Sequence, residues 1–309
     1  MAWQLYLPTS WTDNPDRCRQ AGVPADVDFA TKPDIALQQV RQTIKAGIKT
    51  GIVLADAAYG KGTAWREQLA DWGLTYCVGV HENLSVWAPG AEPLPPRWSG
   101  VGRPPTRWQQ TEDDHPVSVD TLAESLRADD FQEVTWREGT NQPLTSRFAS
   151  VRVRVARGQQ YREPEWLLIE WPHGADKPTK YWLSSQPEVT SLTTLVTTAK
   201  ARWRIERDYQ ELKQEVGLDH YEGRHWRGFH HHASLCIVAY GFLVAERLRC
   251  RHQKKSHCSR HLSYPKTTGR GALQRAQRHV SDSITTLRWY LHQGVMTILH
   301  NRWRYFVTQ

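Results

Sequence analysis

The sequence predicts an α/β protein. Short apolar runs alternate with segments of helical periodicity through the first 80 residues. Strand-type segments follow a Pro-rich stretch, and helical periodicity returns from Ser191 onward.

Residues 2–7, AWQLYL, have strand character. The polar stretch 8–33 holds four prolines and is expected to be a loop. Residues 34–47 predict a helix, with Ile35, Leu37, Val40 and Ile44 at mostly helical spacing. Pro33 and Asp34 suit its start and Gly47 its stop. Residues 52–55 read as a short buried strand that ends at Asp56. Residues 63–72 predict a second helix closed by Gly73, and 74–80, LTYCVGV, another strand. This alternation implies some parallel pairing. Residues 86–106 carry six Pro and three Gly, a boundary or a long surface loop. The segments FASVRVRVA, EWLLIEW and TKYWLSS then read as strands separated by turns, so 81–187 is expected to be a β-rich insertion. Farther on, Ala201, Ile205, Tyr209, Leu212 and Val216 fall on one helical face before Gly217. Further helices are expected over 233–248 and 283–300. The resulting division is 1–80, 81–187, 188–248 and a basic C-terminal region, 249–309.

The 309 residues carry 40 Lys+Arg against 32 Asp+Glu, a formal charge of +8, and the excess is uneven. From Thr193 to the end there are 20 basic and 8 acidic residues, and 11 of the 14 His lie there as well. A basic C-terminal third points to a polyanionic partner, most often nucleic acid. Fifteen Trp among many Arg and Lys also suit base stacking. The five Cys form no CxxC pair, and neither a signal peptide nor an apolar run of spanning length is present. These features exclude a membrane span and lead to an expected cytoplasmic, nucleoid-associated location.

Asp56 stands where a buried strand stops, a position from which a carboxylate can hold a metal ion. Its candidate partners lie in RWRIERDYQELK. At 3.6 residues per turn, Arg202, Glu206, Tyr209 and Lys213 line up on one stripe, which places Glu206 at the rim of the core. An ordinary i,i+4 Arg–Glu pair accounts for the same spacing.

LADAAYG, RWRIERDYQELKQEVGLDHYEGRHWRGFHHH and LYLPTSW together resemble cut-and-paste insertion-sequence transposases with an RNase H-like core. More narrowly, the chain resembles the bacterial group with a Tyr-Arg-Glu-Lys signature, over roughly residues 1–245. The resemblance implies an RNase H-like core, incomplete here, with the β-rich insertion between the second and third catalytic acids and a mostly helical C-terminal part. It implies that Asp56 and Glu206 are those two acids and ligands of a two-metal site for Mg²⁺ or Mn²⁺. It also places Arg202 and Lys213 on the signature's phosphate-binding positions, with Tyr209 beside them. The signature's Tyr would fall at Ala199, so one phosphate contact is lost. The chemistry fits the residue types, because Mg²⁺ takes hard oxygen ligands and two such ions serve in-line phosphodiester cleavage.

A third carboxylate is required on a first core strand. Asp13, Asp16, Asp26, Asp28 and Asp34 precede Asp56 in a Pro-rich loop or at a helix start, the wrong geometry for it. The expectation is the C-terminal part of a DNA transposase that binds insertion-sequence terminal repeats and is inactive alone. Association as a homodimer or with a full-length transposase would complete it. The alternatives are a non-catalytic DNA-binding protein derived from a transposase, and an unrelated α/β protein with a basic tail. Arg224 and Arg227 in GRHWRGFHHH are candidate DNA-backbone contacts, whereas His230, His231 and His232 are expected to pack or hydrogen-bond rather than ligate. The run CRHQKKSHCSRH lacks zinc-finger spacing. Trp136, Trp166, Trp171 and Trp182 offer stacking surfaces near the insertion, with core packing the ordinary role for each.

Overall fold

The computed structural model describes residues 3–91, 100–103, 115–138, 143–156, 163–254 and 283–307. The chain divides into two compact units, Met1–Pro8 with Phe29–Arg204, and Thr9–Asp28 with Ile205–Gln309. Most of the Cys/His run after Cys250 lies outside the described residues.

The expected loop over 8–33 carries two short helices of the second unit, α1 (Thr9–Thr12) and α2 (Pro15–Ala21). Asn14 caps α2 by accepting the Arg17 N–H at 3.0 Å. Residues 3–8 form no strand. Their apolar side chains are held individually instead, with Leu7 buried and Lys32 over the Tyr6 ring, and no ladder partner completes the pattern.

In the first unit, α3 (Lys32–Lys45) starts at Thr31, whose hydroxyl accepts the Asp34 N–H. It buries Ile35, and Leu37 and Val40 pack against the main core cluster. Strand β1 (Val53–Ala55) pairs in parallel with β2 (Tyr76–Val80). Between them run α4 (Ala57–Gly60) and α5 (Thr63–Asp71), the latter stopped by Gly73 at φ 69°. Beyond β2 come β3 (Ser85–Trp87), β4 (Val117–Ser118), α6 (Val119–Ser125), β5 (Gln132–Glu138), β6 (Pro143–Val155), β7 (Glu165–Trp171), β8 (Lys180–Ser184) and α7 (Leu192–Lys200).

Among the described residues one sheet joins eight strands in the order β1-β2-β8-β7-β6-β3-β4, with β5 also on β6. The strands expected of an insertion therefore continue the sheet that carries Asp56, because β8 pairs antiparallel with β2 through Cys77↔Ser184 and Val80↔Tyr181. Alternate residues of each strand face opposite sides, and both sides are covered. Tyr76, Val78, Ala149, Leu167 and Ile169 pack with Trp65 and Leu69 of α5 and Val119 and Leu122 of α6. Cys77, Phe148 and Leu168 pack beneath Leu195, Val196 and Ala199 of α7. Burial on both faces explains the near-continuous apolar runs of β2 and β7. Each fully buried Leu or Ile contributes about 1.5–3 kcal/mol.

The second unit is helical: α8 (Trp203–Val216), α9 (Trp226–Lys254) and α10 (Ile284–Val307), with the unit boundary inside α8. Its core is Leu212, Tyr240, Leu243 and Ile284, with Val216, Ile237 and Leu287 packed against them. Of the expected apolar face of α8, Leu212 and Val216 are in the core but Ile205 and Tyr209 are not. Ile205 is 41 % and Tyr209 56 % exposed, while Glu211 and Leu212 are buried. Leu212 and Val216, later on the same helix, are the positions packed against α9 and α10. Leu235, Val238 and Phe242 of α9 and Trp289, Val295, Ile298 and Leu299 of α10 are also exposed.

Candidate functional site

Asp56 directly follows β1 and caps α4, its Oδ1 accepting the Ala58 N–H at 3.0 Å. The turn it opens lies against β2 at a separation only glycine permits. A Cβ on Gly60 would stand 2.0 Å from the Gly79 carbonyl oxygen. A Cβ on Gly79 would stand 2.9 Å from the Ala57 nitrogen and 3.3 Å from the Asp56 carbonyl carbon. Buried Arg66 donates to the Gly60 carbonyl and ties down the other end of the turn. The Asp56 backbone is thus fixed by β2 rather than by its own short strand.

The second carboxylate oxygen, Oδ2, lies 3.9 Å from Nη1 of Arg202. Both side chains keep a third or more of their surface, 45 % for Asp56 and 34 % for Arg202, so the pair contributes at most about 1 kcal/mol. Such a loose pair leaves the carboxylate open to other ligands. The structure therefore joins Asp56 and Arg202, two of the residues singled out from the sequence.

Arg202 is placed by a stronger anchor just before it, which the sequence reading did not find. Lys200, the last residue of α7, donates from Nζ to both carboxylate oxygens of buried Glu170 at 2.7 and 2.6 Å. The same ammonium lies over the rings of Trp136 at 4.4 Å, Trp182 at 5.2 Å and Phe148 at 5.4 Å. Burial pulls the Lys200 pKa below its ordinary value, and the Glu170 hydrogen bond and charge oppose that pull. Ala199, at the signature's Tyr position, is buried against the sheet. The four Trp of the insertion are similarly engaged: Trp136 stacks edge-on to Phe148 and Trp171 to Phe131. Trp166 and Trp171 donate to backbone carbonyls, and Trp182 packs with the α7 cluster.

In the second unit, Glu206 lies in the first turn of α8 and Lys213 in the last. Glu206, Tyr209 and Lys213 are exposed and share one side of the helix. The expected rim burial of Glu206 is not found. The opposite side holds a carboxylate that the sequence reading passed over. Glu211 is 8 % exposed, with Arg207 Nε at 3.1 Å and Arg247 Nη1 at 3.6 Å. Its Oε2 lies 2.8 Å from the Tyr240 hydroxyl, which also sits 2.9 Å from Asp208 Oδ1. Burial drives the Tyr240 phenol pKa well up, and both carboxylates push it further. The signal available in the sequence was the Arg207–Glu211 i,i+4 spacing.

Arg224 precedes α9 and Arg227 lies in its first turn, both exposed. His230 donates from Nδ1 to the Trp226 carbonyl at 2.9 Å and lies against the Trp226 ring. His232 bonds the Gly217 carbonyl at 2.9 Å. Among the described residues no group of three or more His, Cys, Asp or Glu gathers to hold a metal ion. Asp56 fits a hard divalent cation in kind, as an oxygen donor with half of its surface open. Among the described residues no helix is long and apolar enough to cross a membrane.

A family model described as DDE superfamily endonuclease matches residues 1–143, the stretch that contains β1, Asp56 and the turn packed on β2. No curated protein matches the chain.

Proposed function

From the premise that residues 1–143 belong to the DDE superfamily of endonucleases, we propose that the chain is a transposase-type protein that engages insertion-sequence ends as duplex DNA. The observation that carries the reading is Asp56 at the carboxyl end of β1 with the Arg202 guanidinium 3.9 Å away. A strand-end carboxylate paired with a cation suits a site that meets both metal and phosphate. Asp56 would hold Mg²⁺ or Mn²⁺, with Glu206 as the second acid that the resemblance implies. The bound ion would polarise the scissile phosphate and acidify a water. Arg202 and Lys213 neutralise the phosphates, Tyr209 orients the strand, and Arg224 and Arg227 contact the backbone beyond it. In this reading the core is RNase H-like, and the strands within 81–187 extend its sheet.

Two carboxylates leave a metal pair under-coordinated, so cutting by the chain alone is at trace level. The further ligands come from a second copy of the chain. The exposed apolar side chains of α9 and α10 support such association. A DNA-binding protein without cutting is the second reading. It is favoured by the +8 charge and by the absence of a three-ligand cluster among the described residues.

Purified chain and a labelled duplex test the reading. Affinity falls steeply with salt as phosphate contacts release counterions. Mn²⁺ raises the melting temperature of the wild type but not of Asp56→Asn, and supercoiled plasmid is barely nicked. A flat salt series rejects the DNA assignment. Salt-dependent binding with no Mn²⁺ response leaves the second reading. Robust nicking that Asp56→Asn abolishes overturns the two-carboxylate account.

A further inference from the structure

A cleft of about 530 Å³ opens in the first unit between the α4–α5 junction and the turn after β2. Lys61, Gly62, His81, Asn83, Leu84 and Ser85 line it. Its place follows from the parallel pair. Ala55 is in register with Val78, so Asp56 and His81 both emerge at the carboxyl end of neighbouring strands. In open α/β sheets that end is where ligands bind.

The lining is selective in its chemistry. Lys61, His81 and Asn83 are exposed, and among the described residues their side chains make no hydrogen bond or ion pair. Ser85 adds a hydroxyl and Leu84, buried, forms an apolar floor. Among the described residues no carboxylate lines the cleft, although Glu82 sits between two lining residues. The Glu82 carboxylate is near enough to the Tyr181 phenol to raise its pKa. Gly62 contributes no side chain, so the cleft stays open at the start of α5. A cation, an imidazole, an amide and a hydroxyl converging without an acid select an anion with several acceptor oxygens.

We propose that this cleft is a phosphate subsite for the DNA strand that passes Asp56, with Lys61 as the charge contact and His81, Asn83 and Ser85 as hydrogen-bonding groups. The inference rests on the DNA reading above and names a part of the substrate's path that Asp56 and Arg202 do not supply. A backbone phosphate, rather than free phosphate, is the occupant, because the cleft adjoins the strand end that bears Asp56.

The test is fluorescence anisotropy of a labelled duplex with the full chain over a salt series. Lys61→Gln reduces the log–log salt slope by about 1 and weakens binding about tenfold at low salt. Asn83→Leu weakens binding several-fold with the slope unchanged, since no charge is lost. Lys177→Gln, an exposed lysine of the same unit, leaves both values at wild type. Inorganic phosphate at matched ionic strength does not displace the duplex; displacement would identify a free-phosphate site and overturn the assignment. Wild-type affinity and slope in both Lys61→Gln and Asn83→Leu would overturn it too, with the DNA reading intact. Absence of duplex binding by the wild type would overturn both. The substituted side chains are exposed, so circular dichroism should report an unchanged fold.

Discussion

Alanine at Gly60 and at Gly79 separates close packing from backbone freedom, because neither glycine has a positive φ. A Cβ at Gly60 meets the Gly79 carbonyl oxygen at 2.0 Å and the Gly79 carbonyl carbon and Val78 Cγ2 at 3.1 Å. Ordinary contact begins near 3.4 Å, so backbone must separate by more than an ångström. Overpacking costs about 1–3 kcal/mol where side chains can yield. Here a carbonyl must move, so Gly60→Ala should lose about 3 kcal/mol or more. At Gly79 the overlap is smaller, 2.9 Å to the Ala57 nitrogen, and about 1–2 kcal/mol is expected. That smaller shift falls directly on the Asp56–Ala57 peptide and so also moves the carboxylate. Gly51 is the control: a Cβ there meets nothing within 4 Å, and Gly51→Ala should be neutral or stabilise by about 0.4–1 kcal/mol. Urea denaturation of the three variants gives the order. Equal midpoints for Gly60→Ala and Gly51→Ala would refute the close approach of α4 to β2.

Lys200→Met keeps the apolar stem among Trp136, Phe148 and Trp182 but strands buried Glu170, and should cost about 3–5 kcal/mol in urea denaturation. Adding Glu170→Gln to it should recover a large part of that loss. For pH dependence, the Ser118 hydroxyl is the largest cause holding the Asp120 carboxyl below its ordinary 3.8. A depressed carboxylate adds stability that is present above the ordinary value and lost as pH falls through the lowered one. Ser118 also caps α6, worth about 1 kcal/mol at any pH. The stability gap between wild type and Ser118→Ala should therefore be wider at neutral pH than in strong acid, and a constant gap would exclude the Asp120 contribution.

Local pattern was enough to place α3, α5, β1 and β2, because each carries its own periodicity and a Gly or Pro boundary. It was enough to single out Asp56, since a carboxylate after an apolar run is a local anomaly. It failed where the deciding partner is distant in the chain. AWQLYL alternates as a strand does, yet strand formation needs a neighbour's backbone, and none of its own residues supplies that. Nothing in EWLLIEW marks Glu170 as buried, yet it is, because Lys200 reaches it from another element. On α8 the apolar count favoured Ile205 and Tyr209. Leu212 and Val216 of the expected face do pack in the core, but they are joined there by Glu211, which Tyr240 and Arg247 of α9 hold. The cleft residues Lys61, His81 and Asn83 are unremarkable singly, and only the parallel register of β1 and β2 collects them.

The register of β2 also sets a timetable. One edge of β2 is satisfied by β1 as soon as both have left the ribosome, but the other waits for β8, where Ser184 pairs with Cys77. Synthesis proceeds at about 5–20 residues per second, so a gap of about a hundred residues holds that edge open for on the order of ten seconds. All five residues of β2 end up buried, and during the delay they form an unpaired apolar edge beside the strand that bears Asp56. Nascent chains that stop before Lys180 keep that edge permanently open and should be captured by chaperones or precipitate. Soluble expression of C-terminal truncations should therefore fall off sharply once the deletion enters β8.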